Sequence, residues 1–300
     1  MLLSNTHPAL PASSNKFVPA TQQKNLPASF DWRDKGAVTS VKDQGTLGTC
    51  WIFSTIGNLE GQMFLSGKGL TDLSVEHILE CDAMTDESAN VADCGVFGGW
   101  PYLAMQGIIE RGGVFSDKDY PYCAGTVDEK TKSPGCLPCM PDKYSMKLCG
   151  DHTDDDGGLP LYCEPETTLG QGPKKLCARG ENSDLKFAYS IGNWTDASST
   201  VVDDISSSLM ELGPLSVAVD ATPLQFYKGG VSNPRFCSSK EPNHAVLMVG
   251  YGTASNGGDF FTIKNSWGKG WGEDGYFRIA KKDGPGTCAV NSFIVSALPK

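Results

Sequence analysis

A single cysteine at the entrance to an amphipathic run constrains this chain more than any other feature. The stretch Gln44-Gly45-Thr46-Leu47-Gly48-Thr49-Cys50-Trp51-Ile52-Phe53-Ser54 leads from a glycine-bearing loop into the apolar residues Ile52, Phe53, Ile56, Leu59, Met63 and Phe64. These recur at three- and four-residue steps, the spacing of a helix face, so a helix is predicted over 50–66, stopped by Gly67-Lys68-Gly69. Cys50 then stands in its first turn. Unpaired backbone N–H groups and the positive end of the helix dipole favour a thiolate there, and the thiolate is the nucleophilic form.

The chain of 300 residues, 39% of them hydrophobic, can bury one large core or two modest ones. No apolar run approaches the ~20 residues of a membrane-spanning helix. A net charge of −10 argues against a nucleic-acid partner, because phosphate binding needs a basic face. Of eleven cysteines, an even ten remain once Cys50 is set aside. That reads as a disulfide framework made on an oxidising or secretory route, the alternative being a reduced protein with scattered buried thiols. Asn193-Trp194-Thr195 is a glycosylation sequon with Asn193 as acceptor. Met1-Leu2-Leu3 is followed at once by polar residues, so no signal-peptide core is visible, and residues 1–25 read as a linker or tail.

The Cys50 stretch resembles the active-site segment of the papain-like cysteine peptidases. So do Asn243-His244-Ala245-Val246 and Lys264-Asn265-Ser266-Trp267-Gly268-Lys269-Gly270-Trp271-Gly272, and the three occur in the family's order of cysteine, histidine, asparagine. The resemblance covers about 26–300, apart from an insertion near 123–182. It implies an α+β, papain-like two-domain fold with the cleft between the domains. A mainly helical domain over 26–122 would carry the nucleophile helix, and a mainly β-rich, barrel-like domain over 183–300 the histidine and asparagine. Residues 1–25 resemble the last piece of an inhibitory pro-segment. Residues 73–80 resemble the family's second helix, with Ser74 as N-cap and His77 on a solvated or partner-facing side. Further helices are expected over 102–111 and 201–212, and strands over 215–219, 244–250, 260–264 and 275–279.

By resemblance, Cys50 attacks the peptide carbonyl, His244 carries the proton, and Asn265 orients the imidazole under the cover of Trp267. Gln44 donates to the oxyanion beside the Cys50 N–H. Gly98 and Gly99 line the cleft, where an extended peptide can pair with their backbone. Trp100, Pro101, Ala218, Ala245 and Phe293 line an apolar pocket, which predicts hydrophobic or aromatic side chains two residues before the scissile bond. Cys237 and Cys288 match a family disulfide. Leu47 and Val96 stand where the family has a bonded cysteine pair, so that cross-link is lost, and Cys94 is free to pair with the insertion.

The insertion holds Cys123, Cys136, Cys139, Cys149, Cys163 and Cys177 with little periodic apolar content, so disulfides would have to hold it. Cys136-Leu137-Pro138-Cys139 could begin a zinc site, but no second pair follows at similar spacing. The insertion falls where cathepsin B-like enzymes block the cleft to become carboxy-dipeptidases. That device needs a positive group, and here His152 is crowded by Asp151 and Asp154 to Asp156, with Lys174, Lys175 and Arg179 as alternatives. The other motifs look more like cathepsin L. The expectation is therefore an endopeptidase, with a carboxy-dipeptidase or an inactive binding homologue as alternatives. The resemblance implies protein and peptide substrates, cystatin-like or pro-segment inhibitors, a monomer, and an acidic lysosome-like vesicle or the extracellular space. It implies neither cofactor nor metal.

Overall fold

The computed structural model describes residues 10, 15–20, 26–126, 136, 141, 143–150 and 185–300. Helix α1 (Cys50–Leu65) forms where the periodicity places it, but it is buried from Cys50 to Met63 rather than on one face. Helices lie against one side of it and the sheet against the other. Helix α2 (Val75–Cys81) starts where Ser74 Oγ accepts the His77 N–H at 3.0 Å. A short hairpin follows, β2 (Thr85–Asp86) and β3 (Val91–Ala92). Helix α3 (Pro101–Arg111) has proline in its first turn, where a missing N–H costs nothing, and ends on Gly112 at φ +95°. A single turn, α4 (Met146–Cys149), is the described helix of the insertion.

One sheet carries the second half of the chain. Its strands are β4 (Ile191–Asp196), β5 (Leu215–Val219), β6 (Val231–Ser232), β7 (His244–Thr253), β8 (Asp259–Lys264), β9 (Tyr276–Ala280) and β10 (Ile294–Pro299), in the order β4-β10-β5-β7-β8-β9-β6. Strand β1 (Phe30–Asp31) pairs antiparallel with β7, and helix α5 (Val202–Leu212) leads into β5. Strands β5 and β7 send alternate side chains to two different cores. Ala218 and Ala245 join α1, α2 and α3, whereas Val217, Val219 and Val246 join α5 and the barrel-like side. Cys50 lies in the first core, and Trp267 packs against the second.

Strands β4 and β10 have no counterpart in the sequence reading. Four of the six β10 residues are buried on both faces, which removes the alternation that marks a half-exposed strand, and β4 contains Gly192 and Asn193. The tail residue Lys16 bridges to Asp196 in parallel. Phe17 N–H donates to Asp196 O at 2.8 Å, Asp196 N–H donates to Asn15 O at 3.0 Å, and Lys16 Nζ pairs with Asp196 Oδ2 at 2.9 Å. Part of the predicted tail thus covers the outer edge of β4.

Of the two positions expected for His77, solvated or partner-facing, the structure shows the second. The ring is fully buried against Phe115, Tyr120 and Phe187, and neither nitrogen has a hydrogen-bond partner among the described residues. Cys237 bonds Cys288 as expected, Cys94 bonds Cys149, and Cys123 bonds Cys136. The last pairing occupies a sulfur that the zinc alternative would need. Cys81 is also disulfide-bonded. Residues 151–184, with His152, the acidic patch, Cys163, Cys177, Lys174, Lys175 and Arg179, lie outside the described residues, as does Cys139. Among the described residues no helix is long and apolar enough to cross a membrane.

Candidate active site

Three elements meet at the first turn of α1. Cys50 is its first residue and the one free cysteine among the described residues. His244 opens β7, opposite Val219 of β5. Asn265 follows β8, its N–H donating to Gly275 O at 3.0 Å. The Ala245 N–H, next to His244, points at the Cys50 thiol, as do the N–H groups of Trp51 and of Cys50 itself.

The Asn265 amide settles which imidazole nitrogen carries the hydrogen. Its Oδ1 lies 2.8 Å from the Ser266 N–H, which can only donate, so that atom is the carbonyl oxygen. The same oxygen lies 2.8 Å from His244 Nε2, so Nε2 must carry the hydrogen. Neutral His244 therefore keeps its lone pair on Nδ1, which is buried and has no hydrogen-bond partner among the described residues. The Trp267 ring stacks on the imidazole with centroids 4.9 Å apart, and Trp271 meets Trp267 edge-on. This wall shields the Asn265 bond from water, where it would be weaker.

Burial sets the resting proton. Cys50 is 0% and His244 1% exposed. Desolvation pushes the thiol up, against the three N–H groups aimed at it. It pulls the imidazole down to about 4, against the Asn265 bond that favours the cation. Both shifts favour thiol and neutral imidazole while the pair is shut away from water.

Gln44 is held in one orientation. Its N–H donates to Ser266 O at 2.9 Å, the Ser266 hydroxyl donates to its Oε1 at 2.6 Å, and its Nε2 donates to Leu47 O at 2.8 Å. Its second Nε2 hydrogen has no acceptor among the described residues. Tyr122 braces the loop by donating to Gln44 O at 2.8 Å, 3.2 Å from Thr49 Oγ1. Ser266 adjoins Asn265 and could have been suspected from the sequence. Tyr122 stands outside every motif and carried no signal.

Below Asn265, the Lys264 ammonium donates to Thr39 Oγ1 at 2.9 Å, and that hydroxyl donates to Glu60 Oε2 at 2.6 Å. Lys42 pairs with Glu60 at 3.0 Å, and burial pulls Lys264 down to about 8. This chain of bonds ties α1 to the end of β8.

The expected pocket residues come together. Trp100, Ala218, Ala245 and Phe293 belong to one apolar cluster, with the Trp100 and Phe293 rings 5.1 Å apart, and Ala218 N–H donates to Phe293 O at 3.1 Å. Pro101 is buried beside Trp100 at the start of α3. In the cleft strip, Gly98 has φ +123°. A Cβ on Gly99 would meet Asp93 Oδ1 at 2.5 Å and the Trp51 ring at 2.7 Å, so packing alone already requires glycine there. Gly48 N–H donates to Val96 O at 2.8 Å, joining the two segments where the family's cross-link is missing. Among the described residues, one trio of side chains could converge on a metal ion, Glu76, Cys123 and Cys136, and its two sulfurs are bonded to each other.

Comparison with known proteins places this geometry. Cysteine proteinase 15A of Pisum sativum is 34% identical over 292 residues, covering 95% of this chain and 65% of its own length. Procathepsin L of Rattus norvegicus is 36% identical over 261 residues, covering 85% of this chain and 61% of its own. The chain thus spans less than two thirds of these curated relatives. The bromelain protease from Ananas comosus, solved in complex with the E64 inhibitor, superposes with a TM-score of 0.64 at 28% identity, over 92% of this chain and 100% of that one. The family model described as papain family cysteine protease matches residues 26–298, and the chain belongs to that family.

Proposed function

We propose that this chain is a cysteine endopeptidase that hydrolyses peptide bonds through a covalent acyl-enzyme on Cys50. The observation that carries this reading is the Asn265 carbonyl, fixed by the Ser266 N–H and holding His244 Nε2–H at 2.8 Å, which leaves the buried Nδ1 with its lone pair as the base in a chain whose free cysteine, Cys50, opens α1. His244 takes the thiol proton as sulfur attacks, then gives it to the leaving amine. Water next attacks the thioester, with His244 again as base. The Gln44 amide and the Cys50 N–H stabilise the oxyanion in both halves.

The Gly98–Gly99 strip binds the extended substrate backbone. The cluster of Trp100, Ala218, Ala245 and Phe293, with Pro101, supports a preference for hydrophobic side chains two residues before the cleaved bond. Asn193 is exposed on β4 and suits a glycosylated position. The disulfides and the family support action outside the cell or in an acidic vesicle, on protein and peptide substrates, under control of a pro-segment.

The test is product analysis by mass spectrometry on an unbiased peptide mixture, with and without a thiol-reactive epoxysuccinyl inhibitor. Inhibitor-sensitive internal cuts, lost in Cys50→Ala, support the proposal. Release of carboxyl-terminal dipeptides alone overturns the endopeptidase reading in favour of a cleft closed by the insertion. Undiminished cleavage by Cys50→Ala overturns the mechanism.

A further inference from the structure

Behind the substrate strip lies a group of buried charges that the chemistry above does not use. Asp82, just after α2, and Asp93, just after β3, are both 0% exposed. Asp93 Oδ1 accepts the Trp100 N–H at 2.7 Å and so anchors the end of the Gly98–Trp100 strip. Asp82 Oδ1 lies 3.3 Å from both Arg111 Nη1 and the Met84 N–H. Met84 joins the two residues, its N–H donating to Asp82 Oδ1 at 3.3 Å and its O accepting the Asp93 N–H at 2.9 Å, and the Oδ2 atom of each carboxyl has no hydrogen-bond partner among the described residues.

The close fit is built into the backbone. A Cβ on Gly99 would meet Asp93 Oδ1 at 2.5 Å, and one on Gly107 of α3 would meet Asp82 Oδ1 at 2.5 Å. Two neighbouring buried carboxylates repel each other, whereas one shared proton satisfies both. The charge count agrees: one guanidinium balances one carboxylate, and a second buried carboxylate would leave an uncompensated charge.

We propose that Asp82 and Asp93 share one proton, carried on Asp93 Oδ2 and donated to the Arg111-paired Asp82, and that this proton positions the Gly98–Trp100 strip for substrate. Burial and the neighbouring Asp82 charge raise Asp93 well above the usual carboxylate range, while Arg111 opposes the rise at Asp82. The other titratable groups at this place leave the count unchanged. The Tyr102 hydroxyl of α3 donates to Asp86 at 3.0 Å and is raised by burial, and His77 of α2, facing Arg111, is pulled down to about 3 by burial. Loss of the shared proton at higher pH sets two carboxylates against each other, pushes Asp93 off the Trp100 N–H and loosens the strip. Asp82 and Asp93 are positioning residues, so the effect falls on KM.

The inference rests on the strip binding substrate, as proposed above, and its test separates the two ideas. Asp93→Asn keeps the acceptor for Trp100 and supplies a permanent N–H to Asp82. A wild-type-minus-Asp93→Asn infrared difference spectrum at neutral pH should show a carboxylic-acid C=O band from the wild type, and a difference spectrum that shows only the loss of ionised carboxylate bands would overturn the shared proton. This measurement needs no substrate, so it decides the proton even if the peptidase reading fails. In peptide hydrolysis normalised to titrated active sites, wild-type KM should rise about tenfold from acidic to alkaline pH, the loss of one buried hydrogen bond. It should stay flat in Asp93→Asn and be high at every pH in Asp93→Ala. An Asp93→Asn profile that follows the wild type, or an unaltered KM in Asp93→Ala, would overturn the positioning role.

Discussion

Replacing Asn265 by alanine tests the proton logic of the site with a magnitude that the structure sets. Asn265 Oδ1 accepts two buried N–H groups, from Ser266 and from His244, each at 2.8 Å. Asn265→Ala orphans both, and each buried unsatisfied donor costs about 1–3 kcal/mol, so folding stability should fall by roughly 2–6 kcal/mol. The His244 bond alone bears on the reaction. It strengthens as the imidazole becomes cationic, and a bond to a charged group contributes about 1.5–3 kcal/mol. That predicts a loss of roughly 10- to 150-fold in kcat/KM. Asn265→Asp offers an acceptor to both N–H groups and should recover much of the stability. The assay is hydrolysis of a fluorogenic peptide, normalised to sites titrated by the epoxysuccinyl inhibitor, with urea unfolding alongside. A kcat/KM within twofold of wild type in folded, titratable Asn265→Ala would refute the argument that this amide fixes Nδ1 as the base.

Other expectations rest on separate features. Gln44→Ala should lower kcat by about 10²–10³ with a small change in KM, and Ser266→Ala, which frees the Gln44 amide, by roughly tenfold; steady-state kinetics on the same peptide reads both. Glu60 is 1% exposed and holds Lys42, Thr39 and the Leu73 N–H, so Glu60→Ala should cost about 3–5 kcal/mol in chemical unfolding. His77 is lowered from 6.5 to about 3 by burial, so the unfolded chain binds the extra proton first. Its contribution should be fully present above pH 6.5 and fall on acidification at roughly 1.4 kcal/mol per unit; His77→Phe, followed by thermal unfolding from pH 7 to 4, should lose that slope. Asp93 has the opposite sign. With its folded proton affinity raised, stability falls as pH climbs above about 4, and Asp93→Asn should flatten that limb.

Much of the site was legible because its chemistry is local. Cys50 is marked by a helix start, and Ser74 by the capping rule that the structure bears out. The long-range partners were not legible. Helix α2 invites an exposed polar side with Glu76, His77 and Glu80, yet all three are buried. Glu76 accepts the Cys123 and Ala124 N–H groups at 3.0 and 3.2 Å, Glu80 accepts the Tyr120 hydroxyl, and His77 lies among rings from Phe115 to Phe187. Those partners come from distant segments, and tertiary contact overrides periodicity. The same holds for Tyr122 under Gln44 and for the tail at β4, whereas the pairing of Cys94 with the insertion was legible and only its partner there, Cys149, was not. Gly99 was read for its approach to substrate, while its tightest demand comes from Asp93 and Trp51 behind it.

The central claim is that Cys50 is the nucleophile of peptide hydrolysis, and one titration tests it directly. Epoxysuccinyl inhibitor is added in steps, and each sample is divided between intact-mass and peptide mapping of the adduct and measurement of internal peptide cleavage. The account predicts one adduct per chain, located on Cys50, with cleavage falling in proportion and reaching zero at full occupancy. Cleavage that persists with Cys50 fully modified would contradict it.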